Sequence, residues 1–336
     1  MKTATFKALK PLVLDSQMSC LAGSGAFAAS GGFDGAIRLF GLEDQSLKET
    51  GKGTGLVGWV TSLAFGKGGL LAGTDSQGNA AAWRDGKPAW SRPALSGAWL
   101  RKVAGAPDGQ MVAVVGRDGM LRVLAADSGA TRVERKLGDD LMSLAWSHDG
   151  KRLAVGNLHG AVSIVSAGGS TEKSFELPGF FKVDRMQEVG GIRFLRWSPD
   201  NSMLMAGGAE PRTGGFVQAI PKVVCADPQG KVRHDLKLGG DNEGYALDAD
   251  WHDEGWIAVV TSGQPGTGKL HQLDPVAGKA LGTLALVNPH GIFLAGKNLA
   301  VALATNANSS GNGRVKDEKG GYRANHSVLQ AISIAS

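Results

Sequence analysis

The chain contains 336 residues, of which 36 are Lys or Arg and 31 are Asp or Glu, and its formal net charge is +5. With 42% hydrophobic residues, the composition excludes an intrinsically disordered chain, which would combine low hydrophobicity with high net charge. The chain also has no run of about 18 apolar residues, so we expect no membrane span.

The charged residues argue against a nucleic-acid partner. Lys and Arg are interleaved with Asp and Glu along the whole chain, whereas proteins that bind nucleic acid concentrate their basic residues on one face or stripe. We therefore expect a mildly basic surface and no nucleic-acid partner.

The N-terminal segment MKTATFKALKPLVLDS contains basic residues but lacks the apolar stretch of a signal peptide. Cys20 and Cys225 are the two cysteines, and neither belongs to a CxxC motif or a metal-ligand spacing. We expect a reduced, cytoplasmic setting and no bound metal or cofactor.

One sequence pattern is repeated in the first half of the chain. Each copy consists of an apolar strand, a polar turn with Gly and an alternating strand, and the copies occupy residues 26–44, 70–86, 111–129 and 152–169. The DG, QG and HG pairs in these turns suit two-residue hairpins, in which a central residue needs a positive φ. A further short strand precedes each copy, so one unit comprises strands a, b and c and a weaker strand d.

The units recur along the whole chain, at intervals of roughly 40 to 54 residues. Strand a of each unit begins near Gln17, Val60, Leu100, Leu141, Ile192, Ala246 and His290. This period predicts an all-β fold, a seven-bladed β-propeller that forms a single domain over residues 1–336. Eight blades, or two domains, are the alternatives.

The last unit predicts how the ring closes. It contains strands a, b and c but ends before a strand d. Residues 5–13 precede the first strand a and can supply the missing strand. We expect this N-terminal strand to complete blade 7, which would leave no open sheet edge.

Several turns resemble those of WD40 repeats, namely APDG (106–109), SHDG (147–150) and SPDN (198–201). Only Trp83 stands where the Trp of the WD dipeptide would end strand c, and the Gly-His dipeptide is absent. The resemblance therefore implies degenerate WD40 repeats without the usual hydrogen-bonded network. Residues 183–232 further resemble a divergent WD40 group abundant in planctomycete-type bacteria, which implies a bacterial propeller and no particular reaction.

The segment TSGQPGTGKL (261–270) is close to a nucleotide-binding P-loop, because Gly263, Gly268 and Lys269 have the required spacing. However, Leu270 stands where a Ser or Thr would bind Mg²⁺, and an Asp-Pro turn follows instead of a helix. We expect a hairpin between strands b and c of blade 6, and no bound nucleotide.

Long loops are concentrated in blades 5 to 7. The b–c loops and the connections from strand d to the next strand a share one rim of a propeller, here called the top face. The enlarged loops on this rim are residues 179–191, 209–222, 239–245, 262–269, 287–291 and 305–327. Loops longer than about 12 residues in a compact domain are usually functional or disordered, so we expect a binding surface here.

The polar residues of these loops carry both signs of charge, which suits a protein partner better than a phosphate backbone. The candidate binding residues are Asp184, Arg185, Glu188, Glu210, Arg212, Asp241, Asn242, Glu243, His290, Asn306, Tyr322, Arg323 and His326.

Charged residues also stand in the strands nearest the central channel. When the blades are aligned, Arg196 of blade 5 and Asp250 of blade 6 occupy the position that Ala145 has in blade 4. Asp248 stands two residues before Asp250. A buried charge needs a partner, so we expect Arg196 to form an inter-blade ion pair with Asp248, Asp250 or both. The alternative is a cation or polar-ligand site that uses Asp248, Asp250 and Asp184.

Four tryptophans, Trp59, Trp83, Trp90 and Trp99, lie in and just after blade 2. We expect them to be buried between the blades, since large aromatic side chains dominate protein cores.

No complete catalytic motif, such as GxSxG or HExxH, occurs in the chain. We therefore expect a non-enzymatic scaffold that binds protein partners through the top-face loops of blades 5 to 7. The alternative function is a metal-assisted hydrolase, lactonase or lyase, whose ligands would come from several blades at the channel mouth and leave no local motif.

Overall fold

The computed structural model describes residues 1–213, 218–306 and 326–335. Within these ranges the chain forms 31 strands and no helix, and the strands form antiparallel sheets arranged as seven blades. The predicted all-β fold, a seven-bladed β-propeller, is confirmed.

The N-terminal strands and the first two blades occupy the first quarter of the chain. Their strands are β1 (Thr5–Ala8), β2 (Leu12–Val13), β3 (Met18–Ser24), β4 (Phe27–Gly32), β5 (Ile37–Glu43), β6 (Ser46–Gly53), β7 (Val60–Phe65), β8 (Leu70–Asp75), β9 (Ala80–Arg84) and β10 (Lys87–Arg92). Blade 1 consists of β3 to β6, and blade 2 of β7 to β10.

Blades 3 and 4 follow without long insertions, and a small hairpin comes after them. The strands are β11 (Leu100–Gly105), β12 (Met111–Gly116), β13 (Met120–Ala125), β14 (Thr131–Lys136), β15 (Leu141–Trp146), β16 (Arg152–Asn157), β17 (Ala161–Ser166), β18 (Thr171–Glu176), β19 (Phe181–Asp184) and β20 (Gln187–Gly190). The pair β19–β20 is a separate sheet in the connection between blades 4 and 5. Its two turn residues, Arg185 and Met186, have φ values of 49° and 61°, as two-residue hairpins require.

Blades 5 to 7 complete the ring. Their strands are β21 (Phe194–Trp197), β22 (Leu204–Pro211), β23 (Ala219–Ala226), β24 (Val232–Lys237), β25 (Tyr245–Trp251), β26 (Ile257–Ser262), β27 (Lys269–Asp274), β28 (Lys279–Ala285), β29 (Pro289–Leu294), β30 (Leu299–Thr305) and β31 (Ser327–Ala335).

Blade 7 is closed by the N-terminus. Strand β31 pairs on one side with β30 and on the other with β1 and β2, with Thr5 opposite Ala335 and Leu12 opposite Leu329. The predicted closure by residues 5–13 is confirmed. Its physical reason is that an unpaired β31 would expose a row of N–H and C=O groups.

The core is divided among the spaces between neighbouring blades. Each space is filled by apolar side chains from the two facing sheets, as between blades 4 and 5, where Ile164 packs with Leu195 and Trp197. The indole of Trp197 also donates a hydrogen bond to the carbonyl of Ala145 at 3.1 Å. Burial of one such side chain stabilises the fold by about 1.5–3 kcal/mol, so these interfaces hold the ring together.

The P-loop-like segment lies in the hairpin between β26 and β27, and β27 begins at Lys269. No helix opens after Gly268 in this described part of the chain, so its backbone amides are not arranged as in a P-loop. The Lys269 ammonium instead lies 2.9 Å from the carboxylate of Glu243.

Over the ranges that the structure describes, no helix is long and apolar enough to cross a membrane.

Candidate functional site on the top face

Three exposed aromatic side chains form a row on the top face, which we call the aromatic strip (Phe33, Trp59 and Trp99). Phe33 is 39% exposed, Trp59 46% and Trp99 37%. The ring centroids of Phe33 and Trp59 are 5.2 Å apart, and those of Trp59 and Trp99 are 5.5 Å apart, both in edge-to-face contact. The strip therefore presents a continuous aromatic surface across blades 1 to 3.

The strip corrects the expectation that all four tryptophans are buried between blades. Trp83 is buried and Trp90 packs against the core between blades 2 and 3, but Trp59 and Trp99 face solvent. Each of these two stands directly before a strand a whose first residue is fully buried, Val60 or Leu100. Because successive side chains in extended chain point to opposite sides, the residue before each buried position is turned outward.

A buried carboxylate fixes the loop that carries Trp59. Asp75, at the end of β8, accepts hydrogen bonds from the backbone amides of Val57 at 3.1 Å and Gly58 at 3.0 Å. It also accepts bonds from Asn79 and from the amide of Gln77. Burial by itself would raise the pKa of Asp75, but these hydrogen bonds outweigh burial and hold the pKa below its usual value. The carboxylate is therefore ionised and pins the loop.

Trp59 is held by a second contact of its own backbone. The amide of Trp59 donates to the Ser76 hydroxyl at 3.0 Å, and the amide of Ser76 donates to the carbonyl of Trp59 at 2.9 Å. In the next blade the amide of Arg117 donates to the carbonyl of Trp99 at 2.9 Å. Both indoles are thus carried on ordered backbone, which reduces the entropy lost when a partner binds.

A charged cleft continues the strip toward blades 4 and 5. Its volume is about 510 Å³, and its lining includes Arg101, Arg117, Asp140 and Arg193. The guanidinium of Arg101 lies 5.7 Å from the ring centroid of Trp99. The same guanidinium makes a two-pronged pair with Asp140, at 3.0 Å and 2.8 Å. Arg101 therefore joins the aromatic strip to the cleft.

Arg193 is one of the residues that line this cleft. It donates a hydrogen bond to the carbonyl of Gly190 at 3.0 Å, and its guanidinium lies 4.8 Å from the ring centroid of Tyr245. Burial lowers the pKa of Arg193 below its usual value, although a guanidinium stays charged at any physiological pH. The cleft thus holds a desolvated cation, whose N–H groups can donate hydrogen bonds to a polar group of a ligand.

In blades 5 and 6 the structure joins three of the expected binding residues in one ion-pair network. Arg212 lies 2.9 Å from Glu210 and 2.9 Å from Asp241. Lys237, which the sequence reasoning did not single out, lies 2.9 Å from Glu210. The hydrogen bond from Lys237 lowers the pKa of Glu210. These charges bind one another, so they form a polar, partly exposed margin of the top face.

Other expected residues lie elsewhere in the loops of this sector. Glu243 pairs with Lys269, and Glu188 lies 3.3 Å from His159. Asp184 and Arg185 lie at the tip of the β19–β20 hairpin, and Asn242 is exposed in the connection before β25.

The remaining candidates belong to blade 7. His290 contacts the carbonyls of Asn288 and Met18, each at 3.3 Å, and burial lowers its pKa. The amide of Asn306 donates to the carbonyl of His326 at 3.1 Å. The two further candidates on this blade lie outside the described residues: Tyr322 and Arg323.

The inner strands bring Arg196 to Asp248, with Nη2 2.7 Å from Oδ1. The second oxygen of Asp248 accepts the amide of Ile292 at 3.1 Å, and Asp250 accepts the amide of Leu294 at 2.8 Å. Both amides belong to β29 of the next blade. The two carboxylates therefore accept hydrogen bonds from backbone N–H groups of β29. Such buried groups need a partner.

Burial raises the pKa of Asp250, because desolvation outweighs the attraction of Arg196. Among the described residues, no group of three or more His, Cys, Asp or Glu side chains is arranged to hold a metal ion.

Sequence reasoning missed the aromatic strip, and of the residues that line the charged cleft it named only Glu188. The available signal was the residue directly before each strand a, which is Trp in blades 2 and 3 and Asp140 in blade 4. This position faces the top of the ring in each of these blades, so large side chains there are exposed.

No protein-family model matches the chain, and no curated protein matches it closely enough to count as a relative. Among solved structures, the β-propeller domain of Cps50 (Swd1) from Myceliophteria thermophila is similar to this chain. The TM-score is 0.70 at 15% sequence identity, and the alignment covers 97% of this chain and 99% of that domain.

At this identity the likeness concerns the fold alone. The chain is a seven-bladed β-propeller. Propellers commonly serve as scaffolds for protein interaction, with binding residues in loops that a rigid ring positions.

Proposed function

We propose that the protein is a non-catalytic scaffold that binds an extended segment of a partner protein on its top face. The aromatic strip and Arg101 receive the apolar side chains of the segment, and the charged cleft receives a neighbouring polar group. The ion-paired loops of blades 5 and 6 and the loops of blade 7 flank this surface and contact the rest of the partner.

The observation that carries the proposal is the exposure of Phe33, Trp59 and Trp99 in one row. Isolated exposed apolar residues are normal on any protein surface. A row of two indoles and a phenyl ring on ordered backbone, next to an arginine, is different, because Trp, Tyr and Arg dominate the binding energy of protein interfaces.

The loops of blades 5 to 7 fit the margin of such an interface. Arg212, Glu210 and Asp241 are partly exposed and already paired with one another. Interfaces typically have an apolar centre and a polar, solvent-accessible rim. We expect the mixed charges of this margin to contribute more to the specificity of binding than to its affinity.

A peptide-display selection tests this proposal. A random peptide library is selected on the wild-type protein, and the enriched peptides are measured against Trp59→Ala, Trp99→Ala and Val276→Ala. Val276 is 77% exposed on the opposite rim and is the matched control. We expect each Trp variant to lose about 2 kcal/mol, roughly thirtyfold in affinity, and the control to bind as wild type.

Selected peptides that bind both Trp variants as tightly as the wild type would contradict a binding role for the strip. Peptides that lose affinity for Arg212→Ala but not for the Trp variants would move the centre of the interface to blades 5 and 6.

We also infer that the blades are degenerate WD40 repeats of the group abundant in planctomycete-type bacteria. The APDG, SHDG and SPDN turns support this relationship. A cytoplasmic setting is our further proposal. Cys20 and Cys225 support it, since both are free thiols and disulfides are rare in reducing compartments.

A further inference from the structure

An apolar cleft opens between blades 1 and 2 on the bottom rim, opposite the top face. Its volume is about 730 Å³, within the range of about 300–1,000 Å³ that small-molecule sites occupy. Its apolar walls are formed by side chains from both blades, including Leu39, Phe40, Phe65, Leu71 and Trp83. We call it the inter-blade cleft.

The cleft lies where the outer strand of blade 1, β6, turns glycines instead of large side chains toward blade 2. Gly51 stands opposite Leu39, and Gly53 stands opposite Ile37. In each of blades 2 to 6, strand d carries an apolar side chain that packs into the space before the next blade. These side chains are Trp90, Val133, Phe175, Leu236 and Leu284.

The backbone does not require these two glycines. Neither Gly51 nor Gly53 has a positive φ. A Cβ atom added to Gly51 would meet only the Leu39 side chain within 4 Å, at the ordinary contact distance of 3.7 Å. Gly within a strand costs roughly 0.5–1 kcal/mol relative to Ala, so the absent side chains keep a cavity open at the expense of stability.

Three charged side chains lie in or beside the cleft, and two of them are cationic. Lys67 and Asp85 are its charged lining residues, and Arg84 lies beside them, with its guanidinium 2.8 Å from the carbonyl of Gly68. None of these three side chains forms an ion pair with a residue that the structure describes. Two cations and one carboxylate at an apolar opening are complementary to an anionic head group.

We propose that the inter-blade cleft binds a small apolar molecule that carries one carboxylate, such as a medium-chain fatty acid. The apolar body lies between blades 1 and 2, in the space that a side chain at Gly51 would fill. The carboxylate lies at the mouth, near Lys67 and Arg84. This site is separate from the top face, so it does not depend on the proposed scaffold function.

Calorimetric titration of the full-length protein tests the chemistry of the ligand. The probes are dodecanoate and dodecyltrimethylammonium, which have the same chain and opposite head-group charge, both below their aggregation concentrations. We expect saturable binding of one dodecanoate, at least about tenfold tighter than the cationic probe. Lys67→Gln is expected to reduce this preference.

Gly51→Leu tests the location, because its side chain would occupy the cleft. We expect dodecanoate to bind at least about tenfold more weakly, with a melting temperature equal to or above that of the wild type. Gly97→Leu is the matched control. Gly97 lies in a top-face connection where an added Cβ would meet nothing within 4 Å, so this variant is expected to bind dodecanoate as the wild type does.

A second measurement locates the probe if Gly51→Leu fails to fold. Dodecanoate with bromine on its terminal carbon quenches tryptophan fluorescence on contact, and Trp83 lines the cleft. We expect quenching in the wild type and markedly less in Trp83→Phe. Three results would overturn the proposal: no saturable binding of dodecanoate, equal or tighter binding of the cationic probe, or equal quenching with and without Trp83. Undiminished binding by a folded Gly51→Leu protein would also overturn it.

Discussion

The indole of Trp59 lies edge-on against the indole of Trp99, with ring centroids 5.5 Å apart and ring planes at 72°. The two residues occupy the same position in consecutive repeats, directly before strand a of blades 2 and 3. Because every strand a starts at the top of the channel, equivalent positions of neighbouring blades meet there. A repeat that places Trp at this position twice in succession therefore builds an aromatic surface.

Asp75 is expected to support both the fold and the aromatic strip. Asp75→Ala removes the carboxylate that accepts the amides of Val57 and Gly58, and it leaves buried donors without partners. We expect a loss of about 2–4 kcal/mol in the free energy of unfolding, measured by urea denaturation. Asp34→Ala is the control, since Asp34 is exposed and accepts one bond, from Ala36. Equal losses in the two variants would contradict this role.

Asp248 is expected to be more important for stability than the ion pairs on the surface. Asp248→Ala would leave Arg196 without its carboxylate partner and the amide of Ile292 without an acceptor. We expect a cost of about 3–5 kcal/mol, measured by chemical denaturation. Asp241→Ala, which breaks the exposed pair with Arg212, is expected to cost less than about 1 kcal/mol. A similar cost for the two variants would argue against a structural role for Asp248.

Asp200 is expected to contribute to the loss of stability in acid. Hydrogen bonds from the hydroxyl of Ser198, and from the amide and hydroxyl of Ser202, lower its pKa from 3.8 to about 2. A carboxyl group with a depressed pKa in the folded state stabilises the fold above pH 3.8, and this contribution is lost as the pH falls toward 2.

The measurement for Asp200 is a series of denaturation curves between neutral pH and pH 2. Asp200→Asn is expected to lose less stability than the wild type over the acid part of the series. Asp253→Asn, at an exposed position of the corresponding turn in blade 6, is the control. If the Asp200→Asn and wild-type profiles run parallel in acid, the assignment is wrong.

Removal of the N-terminal strands is expected to open the ring. A chain without residues 1–13 would leave β31 with an unpaired edge, since Thr5 and Leu12 belong to the segments that pair with it. We expect a lower melting temperature and a tendency to associate, measured by calorimetry and size-exclusion chromatography. A synthetic peptide of residues 1–13 is expected to restore part of the stability. An unchanged melting temperature without these residues would show that closure contributes little.

The fold could be predicted because its signals are local. Each hairpin needs a residue with positive φ at its turn, and Gly35, Gly119 and Gly160 supply it, with φ values of 80°, 71° and 87°. Such turns, recurring with short apolar strands between them, indicate a series of β-hairpins and therefore antiparallel sheets. Likewise, because the last unit lacks a strand d, the sequence predicted that an N-terminal strand completes blade 7.

The candidate site could be predicted only in part. Long polar loops indicated the top face of blades 5 to 7, and the structure shows Arg212 of that sector in a network with Glu210 and Asp241. The exposure of Trp59 and Trp99 was not foreseen, because composition favours burial of aromatic residues. Their orientation is set by the next residues, Val60 and Leu100. The side chains of these two residues pack into the core, so the preceding indoles point outward.

The amino-acid sequence by itself determined the strands, the turns and the seven blades, because these depend on residues close together in the repeat. The incomplete last unit also indicated that the N-terminal strand closes the ring. Only the tertiary structure decided which side chains of different blades meet. The packing of consecutive blades brings Trp59 to Trp99, Arg196 to Asp248 and the glycines of β6 to the wall of blade 2. No local pattern encodes these neighbours, since they arise from the way whole sheets pack around the channel.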